Sequence, residues 1–199
     1  MQFPRIVLAL ALISGASAFA PATFGARIRT SMDATIQQTL ETLAGPEVAW
    51  GSDGVLLGYE ESDIKGTTDF KLFAAAAKAA GVDLNSGDYT VLAPCDDAMA
   101  GVTLSADQVK YHMIPGRVSK SSIGSDQPTV NGKALHYHRM ARQTYMDQAI
   151  IGQAPQGAAT GMVFPTDVAC DNGVIHTIAY VLDPSFVMAG AEAGLGGIA

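Results

Sequence analysis

The feature that most constrains the fold is an apolar run late in the chain, at residues 173–182. One set of alternating positions holds Val174, His176, Ile178, Tyr180 and Leu182, and the other holds Ile175, Thr177, Ala179 and Val181. Successive side chains of a strand point to opposite faces of the sheet, so both faces of this strand are largely apolar. This pattern predicts a central strand that is covered on both sides.

Residues 32–66 read as a helix followed by an irregular arm. One helical face holds Met32, Ile36, Leu40 and Leu43, with Asp33 as the predicted cap and Gly45-Pro46 as the stop. Residues 47–65 are interrupted by glycines, which predicts only short extended pieces. The acidic cluster of Glu60, Glu61 and Asp63 is interpreted as a solvated turn. The alternative is a docking segment whose apolar anchors are Trp50, Leu56, Leu57 and Tyr59.

A compact domain is predicted over residues 67–186, and it starts with helices. Its first helix runs from Phe70 to Ala80, with Asp69 as the cap and Gly81 as the left-handed residue after its end. A strand follows at residues 89–93 and ends at Pro94. The spacing of Ser105 and Gln108 is that of a capping box, which predicts another short helix to Met113.

The later part of the domain has a period of two. Asn131-Gly132 predicts a type I′ turn between Thr129-Val130 and a strand at residues 133–140. Further strands are predicted at residues 144–152, 163–168 and 173–182. Helices early in the chain and antiparallel strands late in it define an α+β fold. Residues 187–199 are rich in glycine and alanine and are predicted to be a flexible tail.

Three segments together resemble the fasciclin family. They are residues 89–99 (YTVLAPCDDAM), residues 111–116 (YHMIPG) and residues 172–184 (NGVIHTIAYVLDP). The positions that match family motifs are Ala93, Pro94, Asp96, Ala98, Tyr111, His112, Pro115, Gly116, Asn172, Gly173, Val174, Ile175, His176, Leu182 and Pro184. The resemblance implies a wedge-shaped sandwich of mostly antiparallel strands with N-terminal helices. It also implies adhesion or protein–protein association without shared catalytic machinery.

The chain departs from the family pattern in one region. Only eleven residues separate Met99 from Tyr111, where the family typically has a longer helical region. A helix or two is therefore expected to be trimmed, together with any partner surface that relatives build there.

The first residues have the pattern of a targeting sequence. Residues 1–18 combine Arg5, a short apolar run and Ala16-Ser17-Ala18, which predicts a cleaved signal peptide. Residues 19–31 are basic and free of acids, as in a plastid transit peptide. The junction ASAFAP resembles the bipartite presequence of diatom-type algae with complex red-lineage plastids. It favours the plastid stroma or the stromal face of the thylakoid, with secretion as the alternative.

Composition excludes some classes of function. The formal net charge is −7, and it becomes −10 once residues 1–31 are set aside, which argues against binding to nucleic acid. No apolar stretch is long enough to span a membrane, so any membrane association is expected to be peripheral. No phosphate-binding glycine loop or nucleophile motif is present. We therefore expect neither an enzyme nor a cofactor.

Histidines and cysteines are the remaining candidates for chemistry. His136 and His138 lie two apart on a predicted strand, but no third metal ligand is evident, so no metal site is predicted. His112 is expected to be a core histidine with its ring nitrogens satisfied, as is His176. Cys95 and Cys170 are interpreted as separate inert thiols, with a disulfide or redox-sensitive pair as the alternative.

These observations favour a non-enzymatic plastid module that binds another protein, such as a subunit of a thylakoid photosynthetic complex. The alternatives are a secreted or surface adhesion protein, a carrier that holds a small apolar ligand or pigment on the sheet, and a redox switch.

Overall fold

A computed structural model describes residues 34–153 and 164–187. The predicted signal and transit peptides, the Asp33 cap, the first residue of the strand expected at 163–168 and nearly all of the predicted tail lie outside these residues.

A four-stranded sheet forms the centre of the molecule, in the order β10-β11-β3-β4. Its strands are β3 (Tyr89–Pro94), β4 (Met113–Pro115), β10 (Val168–Cys170) and β11 (Gly173–Ile178). β11 pairs in parallel with β3, whereas the two outer pairings are antiparallel. The chain is thus α+β with mostly antiparallel strands, as predicted, although its central pairing is parallel. The wedge shape of the sandwich stays a prediction.

Both faces of the sheet are covered. Val91, Ala93 and Ile175 point to one side, where they pack with residues in or directly before the helices, which include Ile36, Leu40, Phe70 and Phe73. Leu92, Ile114 and Ile178 point to the other side and pack with Leu135, Met146 and Ile151. The prediction from the apolar run at residues 173–182 is confirmed. The strand itself ends earlier, at Ile178.

Helices α1 (Ile36–Thr42), α3 (Lys71–Ala79), α4 (Asp96–Met99) and α5 (Ala106–Tyr111) pack mainly against one face of the sheet, and a 3-10 turn spans Lys120–Ser122. The capping box of α5 is present, and Gly81 has a left-handed φ of 71° after α3. In α1 the capping box is formed by Thr35 and Gln38.

The predicted cap of α3 is wrong. Asp69 does not cap the helix, because its carboxylate binds Lys71 and Thr67 instead. The backbone N–H of Leu72 donates to Asp96 Oδ1 at 2.8 Å, so a residue from the next helix caps this one.

The strands between β4 and β10 are shorter than predicted. They are β5 (Gln127–Pro128), β6 (Ala134–Leu135), β7 (Tyr137–Met140), β8 (Gln143–Met146) and β9 (Ala149–Ile150). The strand predicted at 133–140 is interrupted at His136, and the one predicted at 144–152 folds back on itself as the β8–β9 hairpin. Buried Asp147 explains both interruptions, since Oδ1 of its carboxylate accepts the N–H of His136 and its own backbone has a positive φ of 50°.

The type I′ turn lies elsewhere than predicted. At Asn131-Gly132 only the glycine has a positive φ, of 90°, so that turn is not type I′. Positive φ at both central residues occurs between β7 and β8, where Ala141 has 50° and Arg142 has 66°. Neither residue is of the type that this conformation favours.

The arm is more regular than predicted. It consists of β1 (Glu47–Ala49), α2 (Gly51–Val55) and β2 (Ile64–Thr67), with the two strands paired antiparallel. We call residues 47–67 the arm from here on.

Candidate functional site

An aromatic stack stiffens the arm. The rings of Trp50 and Tyr59 lie 4.5 Å apart with only 5° between their planes. Lys65 Nζ lies 5.5 Å from the Trp50 ring, within range of a cation–π interaction. The backbone N–H of Trp50 also donates to the backbone carbonyl of Asp63 at 2.9 Å. These contacts connect the two sides of the arm and hold its shape.

The outer part of the arm is an exposed apolar surface. Leu56 is 88% exposed and Leu57 is 68% exposed, and Val55 and Ile64 of the same arm are each more than half exposed. Single exposed apolar residues are common, whereas larger exposed apolar patches mark interaction sites in general; Val55, Leu56 and Leu57 follow one another directly in the chain. Because Leu56 and Leu57 bury little of their surface in the folded protein, they contribute little to its stability. Their apolar area is accessible at the surface of the arm.

The structure divides the four predicted anchors into two pairs. Leu56 and Leu57 point into solvent and can act as anchors. Trp50 and Tyr59 stack on each other, so most of what they contribute is the shape of the arm. Sequence reasoning missed Val55, which directly precedes the chosen Leu56, and Ile64, which directly follows the acidic cluster.

Carboxylates lie on the same arm as these apolar side chains. Asp53, Glu60, Glu61 and Asp63 lie on the arm and are exposed, whereas the only basic side chain of the arm is Lys65. The acidic cluster and the exposed leucines thus lie on the same arm, and both interpretations of this segment, a solvated turn and a docking segment, stay predictions.

His112, one of the family-motif positions, is fully buried and links two elements. Leu182 N–H donates to its Nε2 at 3.0 Å, so the ring proton lies on Nδ1, which donates to the Gln108 carbonyl at 2.8 Å. Burial lowers the pKa of His112 to about 4 despite the bond to Gln108, so the ring is neutral near pH 7. The prediction of a satisfied core histidine is confirmed.

His176 has the same arrangement on the strand β11. Its Nδ1 accepts the Asp167 N–H at 3.1 Å, and its Nε2 lies 2.8 Å from the Val118 carbonyl, to which it donates. Burial lowers its pKa as well, against the raising effects of the Val118 bond and the Asp167 charge. The His176 ring thus joins two loops to the sheet, whereas the His112 ring joins α5 to the segment that follows β11.

Tyr111 is a third buried connector. Its hydroxyl donates to Asp147 Oδ2 at 2.7 Å, while the other oxygen of that carboxylate accepts the His136 N–H. Burial and then the Asp147 carboxylate raise the pKa of Tyr111. The motif tyrosine therefore positions the β6–β7 and β8–β9 junctions.

Asn172 and Gly173 join the N-terminal helix to the central sheet. Asn172 Oδ1 accepts the Ile36 N–H at 2.8 Å, and its Nδ2 donates to the Leu84 carbonyl at 2.8 Å. Gly173 lies so close to β3 that an added Cβ would be 1.9 Å from the Tyr89 carbonyl oxygen.

The other family-motif positions also have structural surroundings. Ala93, Pro94, Ile175 and Leu182 are buried, Ala98 packs at the edge of the core, and Val174 is half-buried. Gly116 accepts a bond from Thr90 Oγ1, and the Pro184 carbonyl accepts one from Lys133 Nζ. Pro115 ends β4. These positions build the fold and lie apart from the apolar surface of the arm in sequence.

The two cysteines are free and buried, which contradicts a disulfide. Cys170 pairs with Gly173, which aligns with Tyr89, whereas Cys95 follows Pro94 at the other end of β3. The Cys170 end and the Cys95 end of β3 are therefore about five residues apart along the strand, about 17 Å at the usual rise per residue. This distance is beyond the reach of a disulfide. Burial raises the pKa of both thiols.

The paired histidines do not form a shared site. His136 lies 3.3 Å from an Asp126 carboxylate oxygen, whereas the ring of His138 stacks on Tyr145 at 4.4 Å. In residues 34–153 and 164–187, no three metal-binding side chains of the His, Cys, Asp and Glu types come together.

The sheet provides no open apolar face for a carried ligand. Both of its faces are filled by core side chains in the described residues, so a pigment or lipid carrier of the predicted kind has no pocket there. Within the same residues, no helix has the length and apolar character needed to cross a bilayer.

The described residues thus combine an α+β fold, motif residues that are mostly buried, and exposed apolar side chains on the arm. A profile of the Fasciclin domain matches residues 68–184, more than half of the chain, and the chain belongs to the fasciclin family. Fasciclin domains are generally protein-interaction and adhesion modules and are typically non-enzymatic. No curated protein matches the sequence.

Proposed function

We propose that the protein is a non-enzymatic docking subunit that binds a larger plastid assembly through the arm, with a thylakoid photosynthetic complex as the leading candidate. The observation that carries this proposal is the pair of exposed leucines, Leu56 and Leu57, on an arm held rigid by the Trp50–Tyr59 stack. A preformed surface loses less conformational entropy on binding than a flexible one.

The charges around the leucines support a particular kind of partner. An apolar anchor with an acidic rim is complementary to an apolar pocket with a basic rim, because opposite charges steer association and fix its register. Anionic lipid headgroups would repel the same carboxylates. The arm is therefore better suited to a protein than to an anionic membrane surface.

The plastid location rests on the N-terminal sequence. The signal-like residues 1–18, the acid-free residues 19–31 and the ASAFAP junction support import. A fluorescent fusion that carries the whole chain should appear inside the plastid. Fluorescence outside the cell would instead support secretion and adhesion, which is the second candidate because family members generally serve adhesion.

Co-purification tests the docking surface. The tagged protein from gently solubilised plastids should migrate with a large assembly, and Leu56→Ser with Leu57→Ser should release it as a monomer. Leu72→Ser is the matched control, because Leu72 is a 45%-exposed leucine outside the arm. A wild-type protein that runs as a free monomer contradicts docking. Equal loss in the Leu72 variant contradicts the assignment to the arm.

A further inference from the structure

A shallow hollow of about 410 Å³ lies beside the β7–β8 hairpin, apart from the arm. Its lining includes the basic side chains Lys120, Arg139 and Arg142, the hydroxyl groups of Ser121 and Thr144, and the ring of Tyr137. The volume falls in the range of small-molecule sites.

The hollow is basic although the protein is acidic. The whole chain has 12 Lys and Arg against 19 Asp and Glu, yet three basic residues line this hollow with a single acid, Asp167. One Asp167 carboxylate oxygen already accepts the Lys120 backbone N–H at 2.8 Å. Within the described part of the chain, neither arginine forms an ion pair. Their guanidinium groups are therefore available to an anion.

Alternate side chains of the strand β7 face this hollow. Tyr137 and Arg139 lie on the same face of β7, and Tyr137 packs against the core. Arg139 extends that face outward, opposite Thr144 of β8. An arginine and a hydroxyl are thus placed side by side by strand register, while the tyrosine ring forms the inner wall.

Arg142 enters the hollow from a strained backbone. Its φ of 66° and the 50° of Ala141 are conformations that glycine or asparagine adopt more easily. Strain of this kind persists at binding sites, where the side chain has a use that outweighs its cost to stability. The turn therefore keeps an arginine where glycine would be more stable.

We propose that this hollow binds the phosphate ester group of a small organic molecule. The two guanidinium groups present planar donors that match phosphate oxygens, and the Ser121 and Thr144 hydroxyls add further donors. Tyr137 and Ile123 provide an apolar wall for the organic part. The site is independent of the docking surface, so either proposal can fail without the other.

Calorimetric titration of the purified chain with phenyl phosphate tests the site. Saturable binding is expected, and Arg139→Gln or Arg142→Gln should each weaken it about tenfold, the loss of one charge-assisted contact. Inorganic phosphate should bind more weakly, because it leaves the apolar wall without a contact. Lys78→Gln is the matched control, since it removes an exposed positive charge from α3.

Two further variants separate binding from folding. Arg142→Gly should raise Tm by relieving the strained turn, and yet weaken phenyl phosphate binding as much as Arg142→Gln does. Ala141→Asn should raise Tm and leave binding unchanged. If Arg142→Gly lowers Tm, the inference from backbone strain is wrong.

Other outcomes would overturn the proposal. Absence of saturable binding at millimolar phenyl phosphate, or equal loss in Lys78→Gln, rejects a specific site. Equal affinity for inorganic phosphate rejects an organic ester as the ligand. Arginine-dependent binding to phosphatidic acid vesicles, without binding to phenyl phosphate, assigns the hollow to a lipid surface instead.

Discussion

Single residues set how closely the central elements of this protein approach each other. Gly173 is the clearest case, because its φ of 156° and its closeness to the Tyr89 carbonyl leave no space for a side chain. The parallel pairing of β3 and β11 depends on this absence. His112 and His176 act at the same scale, since each neutral ring joins two backbone segments through both of its nitrogens.

Gly173→Ala should strongly destabilise the fold. The new Cβ would overlap the Tyr89 carbonyl oxygen, and backbone has to move to relieve the clash. We expect a loss of about 3 kcal/mol or more in the free energy of unfolding, measured by urea denaturation. Gly124→Ala is the control, because no atom lies within 4 Å of its added Cβ, and it should be near neutral. Similar losses in both variants would contradict this account of Gly173.

Stability should fall as the pH drops from about 6.5 to about 4. His112 has its pKa lowered from 6.5 to about 4 in the folded state, so the unfolded state binds more protons across this window. The His112 contribution is complete above pH 6.5, and about 3 kcal/mol of it is lost by pH 4. The lowered pKa of His176 acts in the same direction.

The measurement is the free energy of unfolding at a series of pH values. His112→Gln should be less stable at pH 7 and should show a shallower decline between pH 6.5 and 4. An unchanged slope in this variant would show that His112 is not the titrating group.

At the scale of elements, some helix ends are fixed by residues close in the sequence, and others are fixed by residues far from them in the sequence. The α5 capping box and the glycine after α3 depend on neighbouring residues, and both were predicted. The α3 cap comes from Asp96, which lies in the next helix and is positioned by the backbone bond from its N–H to the Asp69 carbonyl. No local pattern contains that contact.

Asp96→Ala should lower the free energy of unfolding by about 1 kcal/mol, the usual cost of losing a helix cap. Asp69→Ala should cost less than about 0.5 kcal/mol, because its partner Lys71 is largely exposed. Chemical denaturation of the two variants side by side makes this comparison. If Asp69→Ala is the more harmful change, the capping assignment is reversed.

The strands show the same difference between local patterns, which were predicted, and long-range contacts, which were missed. β3 and the doubly buried β11 were predicted, because alternation and apolar content are local properties. The breaks at His136 and Asp147 were missed, since they follow from a buried carboxylate that holds backbone and a distant tyrosine together. The exposed leucines of the arm were identified, whereas the stacking of Trp50 on Tyr59 requires a fold-back that composition does not reveal.

At the scale of the whole molecule, the sheet separates residues that seem related in the sequence. Cys95 and Cys170 both flank motif strands, yet they lie at opposite ends of the central pairing. Strand order and direction decide this separation, and neither can be predicted from spacing along the chain.

An oxidant should not convert the thiols of Cys95 and Cys170 into a disulfide. Under native conditions both should react slowly with a thiol reagent, because they are buried and burial raises the pKa of each. Labelling of the unfolded protein should give the same count with and without prior oxidant. Loss of labelling after oxidation, together with an intramolecular disulfide in a peptide map, would contradict the structure.

The parallel pairing of β3 with β11 also has a consequence for how the protein folds. The strand β3 (residues 89–94) needs β11 (residues 173–178) as its parallel partner in the centre of the sheet. The core therefore cannot form until nearly the whole domain has been synthesised. Contacts between such distant segments slow folding, since a long loop must be ordered before they form. We expect the nascent chain to remain unfolded until late in its synthesis. A chain truncated before residue 173 should not fold.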